Sequence, residues 1–245
     1  LGPSQRGLDA LNAQLRYISH YPDATNDDVL NAIADTYEMD KYQIIVGNSA
    51  AELLYAICRL PGYTGAFVPA PGFSEYKEAL EASKIPVRDI FYRPREDDNG
   101  KPYFEVPYLA LETFAAELKG QDGRIIVFLG NPNNPDGTLL DKDHICTVAS
   151  MLKDANSLLV IDESFIDFVG NDPLQDNEHS MRSLVNEFDN IIVVHSFTKF
   201  YAVPGLRIGA AFANETLITQ LQQYIPSWSV NTLAQAYTKA ALNDV

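Results

Sequence analysis

The sequence lacks the features that mark secreted and membrane-spanning proteins. Its 245 residues contain only two cysteines, so no disulfide framework can form and a reducing compartment is expected. No apolar run approaches the ~18 residues that a membrane-spanning helix requires. The N-terminus shows no basic region followed by an apolar stretch, which is the pattern of a signal peptide. We therefore expect a cytoplasmic protein that does not contact a membrane.

Positive charge is also scarce. The chain carries 18 Lys and Arg residues against 33 Asp and Glu residues, which gives a net charge of −15. A nucleic-acid binder needs a basic face to pair with phosphate groups, so the charge balance argues against one. The histidines and cysteines show no metal-ligand spacing, and no metal site is predicted. What is present, 46% hydrophobic and 21% charged residues, is the composition of an ordinary globular protein.

Short apolar runs alternate with helical stretches along most of the chain. Several runs are continuously apolar, which is typical of strands covered on both faces. The alternation predicts an α/β fold of three layers, with a mostly parallel central sheet between two layers of helices. The predicted strands are residues 43–46, 66–68, 87–91, 124–130, 158–161, 191–196 and 208–213. The predicted helices are residues 50–60, 74–83, 109–119, 142–154, 215–224 and 231–242.

Three domains or domain parts are expected along the chain. Residues 1–42 form a peripheral arm with one or two helices, residues 43–225 form the main domain, and residues 226–245 begin a linker helix. Two polar segments are predicted to be surface connections. Residues 93–107 contain an Asp-Asp-Asn-Gly sequence that favours a turn or hairpin tip, and residues 170–179 form an acidic loop.

Polar residues follow three consecutive predicted strands. Asn134 follows the fourth strand, Asp162 the fifth and Lys199 the sixth. In an open α/β sheet, ligands bind beyond the carboxyl ends of the strands. An amide, a carboxylate and a lysine at one edge suit pyridoxal phosphate, which has a phenolic oxygen, a ring nitrogen and an aldehyde. Singly, such residues are common surface lysines and helix caps. The nearby Ser196 and Arg207 make the joint pattern favour the cofactor.

Several segments around these residues carry a family resemblance. The most specific is Ser-Phe-Thr-Lys-Phe-Tyr-Ala-Val-Pro-Gly-Leu-Arg at 196–207, and residues 47–52, 71–76, 131–137 and 162–168 accompany it. With them the sequence resembles the fold-type I, pyridoxal-phosphate-dependent enzymes of the class I and II aminotransferase superfamily. It is most similar there to the threonine-phosphate decarboxylases, and next to the histidinol-phosphate aminotransferases. The resemblance extends over almost the whole chain and implies the large domain of this fold.

The resemblance implies a role for each residue that would touch the cofactor ring. Lys199 would form the Schiff base and would carry protons once the substrate displaces it. Asp162 would pair with the pyridine nitrogen, and Asn134 would hydrogen-bond to the phenolic oxygen. Phe73 would stack on the face of the ring. These four positions match the family motifs residue by residue.

The resemblance also implies a site for the cofactor phosphate. The groups that would hold it are the side chains of Ser196 and Arg207 and the backbone N–H groups of Ser49, Ala50 and Ala51. Tyr21 matches a tyrosine that reaches the phosphate of the partner subunit's cofactor in these relatives. A homodimer with shared active sites is therefore expected.

Two departures from the family pattern bear on the reaction. Phe165 lies three residues after Asp162, where the aminotransferases usually have a tyrosine that bonds to the phenolic oxygen. An apolar ring cannot make that bond, and its presence resembles the decarboxylase branch, as does the sequence that begins at Trp228. The second departure is the pair Ala50 and Ala51, where relatives often have a hydroxyl or acidic side chain. Only backbone contacts to phosphate remain at that pair.

The histidines add little to this site. His195 directly precedes Ser196 at the end of a predicted strand, where a buried histidine with satisfied hydrogen bonds is expected. His20 lies beside Tyr21 and is a weaker candidate for binding a substrate phosphate, because imidazole can be cationic.

The leading hypothesis is the pyridoxal-phosphate-dependent decarboxylation of L-threonine O-3-phosphate to aminopropanol phosphate, a step of cobalamin biosynthesis. A histidinol-phosphate aminotransferase is the alternative. The choice between the two reactions depends on how the substrate carboxylate is positioned, which the sequence motifs do not specify. A non-catalytic, cofactor-binding regulatory module is a third hypothesis. Relative to this family, we expect the chain to lack an upstream segment and most of a C-terminal small domain. We also expect that such a fragment would be catalytically impaired on its own.

Overall fold

In the computed structural model, which describes residues 2–118, 123–170 and 178–244, a seven-stranded sheet lies at the centre. The strands in chain order are β1 Ile44–Gly47, β2 Tyr63–Ala70, β3 Val87–Phe91, β4 Arg93–Glu96, β5 Pro102–Glu105, β6 Arg124–Gly130, β7 Leu158–Asp162, β8 Ile191–Ser196 and β9 Gly209–Ala213. The order in the sheet is β1-β9-β8-β7-β6-β2-β3, and β9 runs in the direction opposite to the other six strands. Strands β4 and β5 form a separate antiparallel hairpin. The mostly parallel sheet of the prediction is confirmed.

Helices cover both faces of the sheet, as predicted. One hydrophobic core lies between the sheet and α1, α2, α5, α6 and α9, and a second lies between the sheet and α3, α4 and α8. Neighbouring residues of a strand face opposite cores, so Val193 packs into the first and Val194 into the second. The helices are α1 Gln5–Gln14, α2 Asp27–Tyr37, α3 Ser49–Cys58, α4 Glu75–Ala82, α5 Tyr108–Leu118, α6 Lys142–Asp154, α7 Phe197–Phe200, α8 Glu215–Gln222 and α9 Thr232–Ala241.

The N-terminal segment packs closely on the main body. A Cβ on Gly7 of α1 would lie 2.6 Å from the Tyr237 ring of α9, so a larger residue would separate the two helices. Val29 and Ile33 of α2 are buried in the first core. The segment therefore contributes to the core, whereas the predicted division of the chain into domains stays a prediction.

The connections follow the predicted pattern where the structure describes them. The polar segment at 93–107 contains the β4–β5 hairpin. Of the acidic loop predicted at 170–179, residues 171–177 lie outside the described residues. Two short 3₁₀ turns matter for the site, Ile166–Phe168 after β7 and Arg182–Asn186 before β8. Among the described helices, each falls short of the length and apolar character that crossing a bilayer demands.

Candidate active site

A pocket opens at the carboxyl ends of β6, β7 and β8. Because these strands are parallel neighbours, the loops that follow them meet at one edge of the sheet. The structure brings together four of the predicted site residues there, Asn134, Asp162, Lys199 and Phe73. The full lining is Phe73, Tyr76, Pro132, Asn134, Asp162, Ser164, Phe165 and Lys199.

Asp162, the last residue of β7, is buried and oriented by two hydrogen bonds. The Tyr76 hydroxyl donates to Oδ2 at 2.9 Å, and the Ser164 backbone N–H donates to Oδ1 at 2.9 Å. The Tyr76 ring stacks on Phe128 with centroids 5.3 Å apart, which fixes the direction of the hydroxyl. The pKa of Tyr76 is raised well above its ordinary value. Burial is the largest cause, and the Asp162 carboxylate is the next. Tyr76 therefore remains a phenol and a hydrogen-bond donor to the carboxylate.

Tyr76 is a site residue that the sequence analysis did not single out. Its only sequence signal is its place in the matching segment at 71–76, three residues after Phe73. On α4 this spacing directs the tyrosine into the second core, beneath the pocket. Its contact with Asp162 joins residues 86 positions apart and follows from the tertiary fold alone.

Lys199 lies on the one-turn helix α7 and faces the pocket. Its Nζ is 3.4 Å from both the Ser196 and the Thr198 hydroxyl oxygens. Loss of hydration lowers the pKa of Lys199, the Asp162 carboxylate opposes that shift, and the Arg207 guanidinium adds to it. A lowered pKa increases the fraction of neutral amine, which is the nucleophilic form of lysine.

Phe165 forms one wall beside the amine. The centre of its ring is 5.6 Å from the Lys199 Nζ. The residue is partly buried and lines the pocket, so it is more than a core-packing residue. Its ring presents no hydrogen-bonding atom to whatever occupies the pocket.

Ser196 and Arg207 lie near Lys199 but outside the pocket lining. The buried Ser196 hydroxyl shares a 2.8 Å hydrogen bond with the Thr198 hydroxyl. Arg207 is exposed and donates to the Pro204 carbonyl at 3.2 Å. Its φ of +56° lies in the left-handed region. Non-glycine residues in that region are uncommon and tend to cluster at functional sites.

The first turn of α3 lies against the ends of β8 and β9. A Cβ on Gly209 would lie 2.5 Å from the Ala50 nitrogen and 2.8 Å from the His195 carbonyl oxygen, so only glycine permits this approach. Ser49, at the start of the turn, has a φ of +77°. The N-terminus of α3, with its free N–H groups and positive dipole end, is thereby held beside β8.

Glu52 secures the same turn. Its carboxylate accepts a hydrogen bond from the Asn48 backbone N–H at 2.6 Å and another from the Ser229 hydroxyl. The turn is thus tied to the segment that precedes α9. The only sequence signal for Glu52 is its place in the matching segment at 47–52.

A buried network holds the loop that carries Asn134. The Asn131 side-chain amide donates to Glu163 Oε1 at 3.1 Å, and its Oδ1 accepts from the Leu140 N–H at 3.1 Å. Asn133 donates to the Pro71 carbonyl at 3.0 Å, next to the segment with Phe73. These contacts join three loops around the pocket. They were not predicted, because each depends on residues distant in sequence.

Tyr21, like Ser196, Arg207 and the turn at 49–51, is a predicted site residue that does not line this pocket. It is 80% exposed, and its ring lies 4.9 Å from the ring of Trp228, measured between centroids. Its predicted contact with the cofactor of a partner subunit stays a prediction.

Comparison with known proteins gives consistent matches. A family model described as aminotransferase class I and II matches residues 4–245. The adenosylcobalamin biosynthesis bifunctional protein CobDQ of Leptospira interrogans is 32% identical over 96% of this chain, which covers 25% of that protein. The threonine-phosphate decarboxylase of Salmonella typhimurium is 31% identical over 96% of this chain. The histidinol-phosphate aminotransferase of Bacillus pumilus is 27% identical over 99% of it.

The chain spans 60% and 62% of the lengths of those last two relatives. Solved structures show the same fold. The histidinol-phosphate aminotransferase of Clostridium acetobutylicum superposes with a TM-score of 0.81 at 21% identity, covering 99% of this chain and 67% of that one. The enzyme of the same name from Sinorhizobium meliloti, in complex with pyridoxal 5′-phosphate, gives 0.80 at 23% identity, covering 99% and 61%.

Proposed function

The chain belongs to the class I and II aminotransferase family, and within that family we propose that it decarboxylates L-threonine O-3-phosphate. The products would be CO₂ and aminopropanol phosphate. The observation that carries this choice is Phe165, which places an apolar ring at the pocket wall, 5.6 Å from the Lys199 amine. Relatives named for adenosylcobalamin biosynthesis and for threonine-phosphate decarboxylation, at 32% and 31% identity, support it.

Pyridoxal 5′-phosphate is the cofactor of this family, and the pocket provides a donor set that fits it. When bound, it supplies an electron sink for negative charge at the substrate Cα. The pocket offers a carboxylate, an amide, a primary amine and the aromatic wall of Phe73. These groups complement the ring nitrogen, the phenolic oxygen, the aldehyde and the ring face of the cofactor, respectively.

We assign Lys199 as the catalytic residue of this proposal. Its amine is partly desolvated and has a lowered pKa, which suits it to bond covalently with an aldehyde. Next to the bound substrate, the Lys199 Nζ would carry a proton and deliver it to the substrate Cα as CO₂ leaves. The Ser196 and Thr198 hydroxyls, each 3.4 Å from Nζ, would hold the amine in place between these roles.

We assign the remaining contacts by chemical complementarity. Asp162, with Tyr76 and Ser164 donating to its two oxygens, would pair with the protonated ring nitrogen. Asn134 would donate to the phenolic oxygen, and Phe73 would cover one face of the ring. The groups that would hold the phosphate are those of Ser196, Arg207, Ser49, Ala50 and Ala51.

The proposal includes a homodimer with shared active sites, acting in the cytoplasm. Several large apolar residues are exposed in the N-terminal arm and in the segment just before α9. Such a surface suits contact with a second copy of the protein. These residues are Leu15, Ile18, Tyr21 and Trp228. Tyr21 would then contact the phosphate in the partner's site. The two cysteines are free thiols in the structure, which suits a reducing compartment.

A histidinol-phosphate aminotransferase is the second candidate. Relatives of that name match the chain at 26–31% identity, a range that overlaps the decarboxylase matches. An aminotransferase would need an amino acceptor, usually a keto acid, whereas a decarboxylase would not. This requirement separates the two candidates.

The test is to incubate the intact, cofactor-loaded enzyme with threonine phosphate and to measure CO₂ without any added keto acid. The proposal predicts continued CO₂ release over many turnovers, and loss of it in Lys199→Ala. Conversion of the cofactor to pyridoxamine phosphate, with turnover only when a keto acid is supplied, would identify an aminotransferase instead.

A further inference from the structure

The hydrogen-bond ladder between β7 and β8 ends below the pocket. Its last contact is the Glu163 N–H donating to the Val194 carbonyl at 2.7 Å. Beyond Glu163 and Val194, the segments that continue from β7 and β8 separate. One continues into Ser164 and Phe165, and the other into Lys199. The spacing between these pocket residues is therefore not set by the parallel ladder itself.

A buried pair of side chains spans this gap. The His195 Nε2 lies 3.1 Å from Asp167 Oδ2, and the two side chains are 1% and 2% exposed. Asp167 lies in the 3₁₀ turn after β7, two residues beyond Phe165. His195 lies in β8, four residues before Lys199. The pair thus joins the segment that carries one pocket wall to the segment that carries the amine.

Aromatic contacts hold the same turn from the other side. The Phe168 ring packs edge-on against the Phe200 ring, with centroids 5.5 Å apart. Phe200 directly follows Lys199, and Phe168 directly follows Asp167. The turn is therefore fixed to the lysine segment both by a ring contact and by the buried pair.

Other ionisable groups lie close to the His195–Asp167 pair. The Tyr37 hydroxyl of α2 is 3.4 Å from the His195 Nε2. The Arg182 guanidinium lies 4.1 Å from the centre of the Tyr37 ring and 3.9 Å from the Glu163 carboxylate. Tyr201 directly follows α7. Burial is the largest cause of its raised pKa, and the Asp167 carboxylate is the next largest. Among the described residues near this pair, Arg182 is a cation and Glu163 is a further carboxylate.

The hydrogen bonding of this cluster is incomplete. Among the described residues, Asp167 Oδ1, His195 Nδ1 and the Tyr201 hydroxyl have no partner, although all are buried. Our expectation of a fully satisfied histidine at 195 is therefore wrong on the Nδ1 side.

We infer that Asp167 and His195 form a positioning pair that fixes the Lys199 segment against the turn carrying Phe165. This inference rests on the proposed function, because the quantity it sets is the place of the amine at the cofactor. Displacements of about 1 Å near a reacting group can cost about 100-fold in rate. A pair that prevents them acts on the reaction without touching the substrate.

The experiment compares cofactor-loaded variants by visible absorbance as a function of pH and by the Kd for pyridoxal phosphate. His195→Leu removes the contact, His195→Gln retains a donor of similar reach, and Asp167→Asn changes the charge with little change of shape. Asn190→Ala is the matched control. Asn190 lies just before β8, at its opposite end, and donates to the buried carbonyls of Ala149 and Ser157.

We expect His195→Leu and Asp167→Asn to weaken cofactor binding about tenfold and to shift the absorbance midpoint by about half a pH unit or more. His195→Gln should restore much of both. Asn190→Ala should lower the melting temperature but leave the midpoint and the Kd unchanged.

Two results would overturn the inference, and they are distinguishable. If wild type forms the visible band of lysine-linked cofactor but the variants keep its midpoint and Kd, the pair is a structural contact only. If wild type forms no such band, the proposed function fails and the inference fails with it. Should His195→Leu not fold, Asp167→Asn alone decides the first case.

Discussion

At the scale of single residues, the orientation of Asp162 depends on one phenol. The Tyr76 hydroxyl reaches Oδ2 at 2.9 Å from within the second core. Hydrogen bonds to charged groups contribute about 1.5–3 kcal/mol, so we expect Tyr76→Phe to lower the free energy of unfolding by about that much. Cofactor affinity should fall as well. Urea denaturation and a cofactor titration measure the two effects.

The matched control is Tyr92→Phe. The Tyr92 hydroxyl is buried, but within the described part of the chain it has no hydrogen-bond partner. Its removal should leave stability unchanged or slightly higher, because an unpaired buried hydroxyl contributes nothing favourable. An equal loss of unfolding free energy in the two variants would show that the hydrogen bond to Asp162 does not stabilise the fold.

Lys199 offers a prediction about pH. Its pKa is lowered in the folded protein, so the charged amine is disfavoured there relative to the unfolded chain, where the pKa is about 10.4. The destabilisation is fully present below the folded pKa and disappears as pH rises toward the unfolded value. Lys199→Met should therefore raise the melting temperature of the cofactor-free protein at neutral pH, by an amount that shrinks on raising the pH. A difference that is constant or grows with pH would contradict this.

The residues at the strand ends could be predicted from the sequence, because the rule for open α/β sheets depends only on strand order. Asn134, Asp162 and Lys199 do lie in one pocket. Tyr76 and the Asp167–His195 pair could not be predicted in the same way. Their partners come from other elements, and only the packing of α4 on the sheet and of the 3₁₀ turn on β8 brings them together.

At the scale of elements, the approach of α3 to β9 depends on a glycine. A Cβ on Gly209 would lie 2.5 Å from the Ala50 nitrogen. Overpacking of this kind costs about 1–3 kcal/mol, so Gly209→Ala should lower the free energy of unfolding by that amount and displace the first turn of α3. The cofactor Kd should rise, because that turn faces the proposed phosphate site.

Gly205→Ala is the control for that substitution. A Cβ on Gly205 would meet nothing within 4 Å. We expect its effect on stability to stay within about 0.5 kcal/mol and its effect on the cofactor Kd to be negligible. If Gly205→Ala weakens cofactor binding as much as Gly209→Ala, the close approach of α3 is not the cause.

Element prediction succeeded where burial dominates the pattern. Strands β6 and β8 have the predicted bounds, because continuous apolar runs between polar loops leave little ambiguity. Strand β3 also has its predicted bounds, although it contains Arg88 and Asp89. Strand β2 begins at Tyr63, earlier than predicted, since Tyr63 pairs with Arg124 and a bulge separates it from the next pair, Gly65 and Ile125. Helix α2 was foreseen only as one of two possible helices in the arm. Residues in left-handed conformations bound it, Asn26 and Glu38, and the sequence carries no glycine there to mark them.

At the scale of the whole molecule, the net charge of −15 does not describe the candidate site. The pocket holds the Lys199 amine, and the Arg207 guanidinium is close enough to lower the pKa of that amine. The N-terminus of α3 adds a positive dipole end beside β8. The surface can thus be strongly acidic while the site attracts an anionic cofactor and an anionic substrate.

The proposed shared active sites can be tested by mixing variants. Lys199→Ala and Tyr21→Ala subunits should each have little activity alone. In a mixed dimer, one site would contain both substitutions and the other neither, so co-refolding should recover up to about a quarter of wild-type activity. The measured quantity is steady-state CO₂ release, and each variant refolded alone is the control. No recovery from a mixture that does dimerise would mean that Tyr21 acts within its own subunit or not at all.

The other assigned roles depend on the pocket at the ends of β6, β7 and β8 holding pyridoxal phosphate through Lys199. Borohydride reduction of the cofactor-loaded protein, followed by peptide mass spectrometry, tests this assignment. We expect one cofactor fixed to the peptide that contains Lys199, and no label in Lys199→Ala. Label on another lysine, or labelling that persists in Lys199→Ala, would contradict it.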